Sequence, residues 1–180
     1  MITKDQKPLK KTLLLLTLLS SLHASSSTTQ RLGDFLAIAI PTTAYGTTLY
    51  LDDKEGQKDF YKAYGTTMAT TLLLKYTVRE KRPDTDTRDS FPSGHTSSAM
   101  SGATFIHKKY GFKYALPAYL GAIYTGYSRV HVNRHHPRDV IAGAFIGAVS
   151  SWYLTSEYKG LSLSPQISSE YQGVKVGFNF

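Results

Sequence analysis

The stretch Phe91-Pro92-Ser93-Gly94-His95-Thr96 is the point from which the fold of this chain can be worked out. Pro92 restricts the backbone just before a Ser-Gly pair, and the mostly small residues 97–103 that follow are typical of a closely packed helix. A turn that opens a helix leaves backbone N–H groups free, and such groups bind phosphate. His95 can exchange a proton near neutral pH at the same place. The alternative interpretation is a simple helix cap followed by an ordinary histidine.

The composition is that of one globular domain with a basic surface. The 180 residues, 41% of them hydrophobic, are enough to bury one core. The formal net charge of +8 favours an anionic partner, and part of that charge lies in the lysine-rich N-terminus. Cysteine is absent from the sequence. Export is compatible with this, because a domain of this size folds without disulfides.

Residues 1–24 have the composition of a secretory signal peptide. A lysine-rich head precedes the apolar run 12–19, and Ala24 suits the position before a cleavage site. The run is short for a bilayer-spanning helix, so we expect cleavage and a periplasmic location. The alternative is an uncleaved anchor. Fractionation of the expressed protein into periplasmic and membrane fractions distinguishes the two.

The spacing of apolar residues beyond this segment indicates a chain of helices. A Ser/Thr-rich junction is expected at 25–30, and a helix from Gly33-Asp34 that Pro41 kinks or ends. The remaining expected segments are a long helix at 59–81 closed by Arg82-Pro83, a charged loop at 83–91, a helix at 93–108, an apolar segment at 112–127 interrupted by Pro117, a basic irregular segment at 128–136, and a helix at 137–154.

The C-terminal residues do not follow the helical spacing of apolar residues seen earlier in the chain. Residues 161–164 and 174–180 alternate with period two, which predicts a small β-hairpin around Gln166 to Gly173. The expected fold is therefore all-α, a helical bundle with a small C-terminal β-hairpin. Its expected divisions are the signal peptide at 1–24, a helical domain at 25–158 and a hairpin tail at 159–180. No run after the signal segment reaches about 18 uninterrupted apolar residues, so a soluble or surface-associated domain is favoured over a multi-spanning one.

Two further clusters carry charge and possible chemistry. Lys75 and Arg82 are seven residues apart, so two helical turns would place both on one face, aimed at a doubly charged oxyanion. The alternative is a solvated basic helix end. In the other cluster Asp139 falls in the first turn of the helix begun by Pro137. From there it can accept a hydrogen bond from the ring of His135 and leave the other ring nitrogen as a nucleophile. Arg129 adds a third cation.

Two alternatives apply to this last cluster. A metal site is conceivable because four potential ligands lie close in sequence: His131, His135, His136 and Asp139. Pro137 breaks their helical register and the nearby arginines repel a divalent cation, so we expect no metal. A basic patch for anionic lipid or nucleic acid is the other alternative, and we expect no nucleic-acid partner.

Taken together, the three clusters closely resemble the signature of the type 2 phosphatidic acid phosphatase superfamily. This group includes bacterial class A acid phosphatases, lipid phosphate phosphatases and vanadium haloperoxidases. The resemblance covers roughly residues 33–154 and implies a helical bundle of the acid phosphatase/haloperoxidase type, with its site at the helix ends. Its matching segments are Lys75 to Arg82-Pro83, Pro92-Ser93-Gly94-His95, and Ser128-Arg129 to His135 to Asp139.

The resemblance also implies a role for each matching residue. His135 would attack phosphorus, Asp139 would orient His135, and His95 would protonate the leaving oxygen and later activate water. The remaining residues would hold the phosphate oxygens without a metal or other cofactor: Lys75, Arg82, Ser93, Gly94 and Arg129. His136 stands where many relatives have an aromatic or another residue, and we place it outside the mechanism. His107 and His131 are expected to be ordinary helix or loop residues.

The function expected from the resemblance is a phosphatase acting on phosphomonoester or diphosphate groups, with membrane lipids favoured as substrates. A soluble phosphomonoester is the alternative substrate. A vanadium haloperoxidase is less favoured because those enzymes are usually much larger. A non-catalytic anion-binding or outer-membrane protein is the alternative from another class, based on the alternating tail that ends in Phe180.

Overall fold

The computed structural model describes residues 26–158 and, for the backbone, residues 161–167 and 172–178. The predicted signal peptide, 1–24, lies outside the described residues. Five helices account for most of the described chain and confirm the expected helical architecture. They are α1, Ser26–Tyr50; α2, Lys54–Val78; α3, Gly94–Tyr110; α4, Phe112–His131; and α5, Pro137–Leu154.

Helix α3 lies at the centre of the bundle and packs against all four other helices. Its small residues let the neighbouring helices approach closely. Two of them, Ala99 and Ala103, are completely buried. Two glycines of α5 face it across a close backbone contact. A Cβ on Gly143 would lie 2.5 Å from Ser93 O, and one on Gly147 would lie 2.4 Å from Ser97 O. The α3–α5 interface therefore brings two backbones together where no side chain fits.

The core beside this contact contains hydroxyl groups as well as apolar side chains. The Thr71 hydroxyl donates to Ser97 Oγ over 3.0 Å, and the hydroxyls of Ser101 and Ser151 are 2.8 Å apart. These groups are buried and paired, so they join helices without leaving unsatisfied polar atoms. Two apolar clusters complete the core, one around Phe60, Phe105 and Ile106 and the other around Ile40, Ala99, Ala103 and Ala122.

Several expected boundaries of α1 and α2 were wrong. Helix α1 begins at Ser26 rather than at Gly33, so the junction expected up to residue 30 is helical from residue 26. It also continues through Pro41, which packs against Gly102 of α3: a Cβ on that glycine would lie 2.8 Å from Pro41 N. The close interhelical contact thus accommodates a residue that locally disfavours a helix. Helix α2 begins at Lys54 and ends at Val78 instead of Lys81.

Helix α4 also differs from its expected extent. It continues through Pro117, near its first turn, and includes Ser128 and Arg129, which were expected in an irregular segment. None of the helices within the described residues combines the length and apolarity needed to cross a membrane. Beyond α5, strand β1, Leu161–Ile167, pairs antiparallel with β2, Gln172–Phe178, with Leu161 opposite Phe178. The turn expected between them falls at 168–171, outside the described residues.

Replacing Gly147 with alanine tests the α3–α5 contact. We expect Gly147→Ala to lower the free energy of unfolding by about 1–3 kcal/mol, because the new methyl group meets the backbone of α3. Gly46→Ala in α1 is the matched control, since a Cβ there meets nothing within 4 Å. That control should be neutral or stabilising by up to ~1 kcal/mol, as alanine favours a helix. Denaturant unfolding measures both, and equal stabilisation by the two changes would contradict the close contact.

Candidate active site

The candidate site lies where four helix ends and one loop meet. Lys75 is in the last turn of α2 and Arg129 in the last turn of α4, while His95 and Asp139 are in the first turns of α3 and α5. The loop 79–93 passes between these ends. The structure therefore brings the three predicted clusters together at one end of the bundle.

His135 and Asp139 form a buried pair with a third member, Ser90. His135 Nδ1 lies 3.6 Å from Asp139 Oδ2 and 3.4 Å from Ser90 Oγ. The first distance exceeds hydrogen-bond reach, so the direct hydrogen bond expected between ring and carboxylate is not formed in this structure. Asp139 Oδ2 instead accepts hydrogen bonds from Ser90 Oγ, over 2.5 Å, and from His136 N, over 2.9 Å. Because Nδ1 faces this group, Nε2 is the nitrogen left for a substrate.

Its surroundings keep His135 neutral. Burial, followed by the positive charges of Lys75 and Arg82, lowers the pKa of its ring to about 4, against the opposing effect of Asp139. The side chain is 3% exposed. A neutral imidazole has a free lone pair on one nitrogen, so this histidine is in the protonation state that a nucleophile requires.

Lys75 and Arg82 both bind Asp89. The expectation that they would share one helix face was wrong, because Arg82 lies beyond the end of α2. The chain leaves α2 at Arg79, which has a left-handed conformation with φ of 52°. Arg82 then lies in the loop and binds both carboxylate oxygens of Asp89, over 2.8 and 2.9 Å. Lys75 Nζ donates to the Asp89 carbonyl over 2.5 Å. Hydrogen bonding from Arg82 lowers the pKa of Asp89, and burial lowers that of Lys75.

Ser93 and Gly94 open helix α3, as the sequence predicted. Ser93 is completely buried; its N–H donates to Asp139 O over 2.9 Å and its hydroxyl lies 3.0 Å from that of Thr96. Gly94 is the first residue of the helix, so its N–H belongs to the turn that has no partner within the helix. The N–H of Gly94 is therefore among the helix-terminal donors that can bind an anion.

His95 and Arg129 meet at a residue that sequence analysis did not identify as part of the site. Asp34 Oδ1 accepts a hydrogen bond from Arg129 Nη1 over 2.7 Å and lies 2.9 Å from His95 Nε2. Burial is the main cause that lowers the pKa of His95, and the charges of Arg129 and Arg82 add to it, while Asp34 opposes them. Arg82 thus acts electrostatically on both histidines.

Three carboxylate and hydroxyl side chains of the site were missed by sequence reasoning. Asp89 and Ser90 are separated from the Pro92-Ser93-Gly94-His95 turn only by Phe91, so their position close to it was the available signal. Asp34 gave a weaker signal, a lone charge before the apolar run 35–40. It was interpreted only as a helix start, because no local spacing connects it to His95 or Arg129, which lie 61 and 95 positions further along the chain.

His107 and His131 contact neighbouring aromatic residues rather than the groups of the site. His107 packs against Phe112, Tyr119 and Trp152, and His131 stacks on Tyr127. Within the described residues, no three histidine or carboxylate side chains come together in a way that could hold a metal ion.

An apolar cavity of about 520 Å³ adjoins the site. It begins at Gly94 and His95 and continues along the crevice between α1 and α2. Its lining is mainly aromatic and aliphatic and includes Ala37, Ile38, Pro41, Tyr45, Tyr61 and Met68. A ligand with its anionic group at the helix ends could therefore extend an apolar portion into this crevice.

Comparison with known proteins gives a consistent set of relatives. The PAP2 superfamily model matches residues 59–160, more than half of the chain. The lipid A 1-phosphatase of Porphyromonas gingivalis is 42% identical over 76 residues, which is 41% of this chain and 17% of that protein. The lipid A 4'-phosphatase of Helicobacter pylori is 38% identical over 105 residues, 56% of this chain and 53% of that protein. The chain thus matches about half or less of the length of these relatives.

A solved structure shares the fold. The crystal structure of Aquifex aeolicus LpxE aligns with a TM-score of 0.62, covering 79% of this chain and 93% of that one. The sequence identity is 23%, so the similarity concerns the arrangement of the helices.

The electrostatic origin of the low His135 pKa can be tested by removing one charge. Lys75→Met should raise the pKa of His135 by about one pH unit, because a neighbouring cation no longer opposes protonation. NMR titration of the histidine ring measures this, with the wild-type value expected at about 4. Lys62→Met is the control, since Lys62 is exposed and pairs with Asp59. An unchanged value in Lys75→Met would contradict the assigned cause.

Proposed function

The chain belongs to the PAP2 superfamily, and from that premise we propose that it is a phosphatase that hydrolyses phosphomonoester or diphosphate groups of membrane lipids through a phosphohistidine intermediate. The observation that carries this proposal is the buried, neutral His135, held beside Asp139 and within the field of Lys75 and Arg82. The helical domain 25–158 is the proposed catalytic unit. Its cations would supply the charge stabilisation that a metal provides in other phosphatases.

In the first step, the lone pair of His135 Nε2 attacks phosphorus and the bond to the leaving oxygen breaks. Protonated His95 gives its proton to that oxygen, so the alcohol leaves neutral. Asp139 stabilises the positive charge that develops on the His135 ring, since its carboxylate faces Nδ1. Ser90 holds the carboxylate in place through its 2.5 Å hydrogen bond.

In the second step, His95 takes a proton from water, whose oxygen attacks phosphorus and displaces His135. Inorganic phosphate leaves, His135 is neutral again and His95 is protonated for another cycle. The phosphate oxygens would be held throughout by five groups, which are Lys75, Arg82, Arg129, the Gly94 N–H and Ser93. Ser93 would need to exchange its contact with Thr96 for one with phosphate.

Two observations favour a lipid over a soluble ester. The apolar cavity begins at His95, so an acyl chain attached to the phosphate would find an apolar surface directly beside the site. Two relatives carry the name of lipid A phosphatases, which makes a phosphorylated lipid the substrate class to test first. We also propose export to the periplasm and contact with the membrane surface, on the composition of residues 1–24 and the basic charge; the fractionation described above tests this.

Replacing the proposed nucleophile tests the mechanism. His135→Ala should lower kcat at least about 10³-fold, because no other group forms the covalent intermediate. His131→Ala is the matched control, since that exposed ring stacks on Tyr127 and takes no part in the proposed chemistry. Circular dichroism establishes that both variants are folded. Retention of activity by folded His135→Ala would contradict the mechanism.

Substrate preference is tested by comparing micellar phosphatidic acid with p-nitrophenyl phosphate. Wild-type kcat/KM should be higher for the lipid. Met68→Gln should lower kcat/KM for the lipid about 10-fold, because it places an amide in the apolar cavity, and leave the soluble ester within about twofold. Thr66→Gln, at an exposed position on the same helix, is the control. Equal or better turnover of the soluble ester by the wild type would contradict the lipid preference.

A further inference from the structure

Asp34 lies on α1, outside residues 59–160 and outside all three sequence clusters, yet it contacts two proposed functional groups with one atom. Its Oδ1 accepts from Arg129 Nη1 over 2.7 Å and lies 2.9 Å from His95 Nε2. A neutral or protonated imidazole can donate from Nε2 to this oxygen. Asp34 therefore joins a proposed phosphate-binding cation to the proposed proton donor.

The turn of α1 before Asp34 packs closely against the Arg129 guanidinium. Gln30 O accepts a hydrogen bond from Arg129 Nη2 over 2.9 Å, and a Cβ on Gly33 would lie 2.7 Å from the same nitrogen. Arg129 is 3% exposed. This buried cation is thus held by one turn of α1, with Asp34 as its carboxylate partner.

We propose that Asp34 is the positioning residue of the acid–base histidine: it accepts the Nε2 proton of His95, leaves Nδ1 to exchange protons with the substrate, and fixes Arg129 beside it. This rests on the function proposed above. In the first step, His95 Nδ1 gives its proton to the leaving oxygen as the bond to phosphorus breaks. In the second, Nδ1 takes a proton from the attacking water, while Nε2 keeps its proton throughout and Asp34 stays ionised.

The charges around His95 support a role for the carboxylate. Burial lowers the pKa of His95 first, followed by Arg129 from α4 and Arg82 from the loop before α3. Asp34 from α1 acts in the opposite direction through both its charge and its hydrogen bond. Removing the negative charge should therefore lower the pKa of His95 further. The fraction of enzyme with a proton available for the leaving group would then fall at any pH near or above that pKa.

The experiment compares Asp34→Asn with the wild type on two classes of ester. For an alkyl phosphate such as phosphatidic acid, the leaving alkoxide needs a proton, so kcat should fall about 10- to 100-fold. For p-nitrophenyl phosphate, whose leaving group departs without protonation, the fall should be at most about threefold. The alkaline limb of kcat/KM should move to lower pH. Asp52→Asn, at an exposed carboxylate paired with Lys54, is the control and should change neither.

A purely structural role for Asp34 would give equal losses on both esters with the alkaline limb unmoved, and this result would overturn the proposal. Nitrogen-15 NMR of the wild-type histidine rings gives a readout that needs neither activity nor a folded variant. Neutral His95 should carry its proton on Nε2, and a proton on Nδ1 would overturn the proposal. If the wild type hydrolyses no phosphate ester, the proposed phosphatase function fails, whereas the NMR result still decides whether Asp34 fixes the tautomer.

Discussion

The backbone hydrogen bond from Ser93 N to Asp139 O joins the first turn of α3 to the first turn of α5, and the positions of both histidines depend on it. It can form because Gly143 and Gly147 let the two helices approach without intervening side chains. His95 follows Ser93 by two residues, and His135 precedes α5 by two. A wider separation of these helices would therefore move the proposed nucleophile away from the proposed acid. The small residues of α3 and α5 would thus serve the proposed chemistry as well as the packing.

The two histidines differ in exposure, since the side chain of His95 is 44% exposed and that of His135 only 3%. Both have a lowered pKa because both are desolvated and lie near arginines. They differ in the carboxylate that each ring faces. His135 Nδ1 faces Asp139, which is completely buried and already bonded to Ser90 and a backbone N–H, whereas His95 faces a half-exposed Asp34. One ring is accordingly suited to remain neutral and the other to gain a proton when the charge nearby changes.

Local patterns predicted the helices and the motif residues, and tertiary contacts determined the rest. The family resemblance is confirmed by the match over residues 59–160. Apolar spacing located the helices, but it could not foresee that Pro41 would continue a helix against Gly102. The seven-residue separation of Lys75 and Arg82 predicted a shared helix face, whereas the left-handed Arg79 ends the helix and Asp89 brings the two cations together. Asp34 could not be assigned from spacing, because its contacts join positions that are distant in sequence.

The balance of charge explains how a histidine with a lowered pKa can act as an acid. Among the described residues of the site, three cations, Lys75, Arg82 and Arg129, face three carboxylates, Asp34, Asp89 and Asp139. With both histidines neutral, these charges cancel. A phosphate monoester entering as a dianion would make the site negative, and that excess charge would raise the pKa of His95, the more exposed of the two rings. The substrate would thus bring about the protonation that its own leaving group requires, while Lys75 and Arg82 continue to keep His135 neutral.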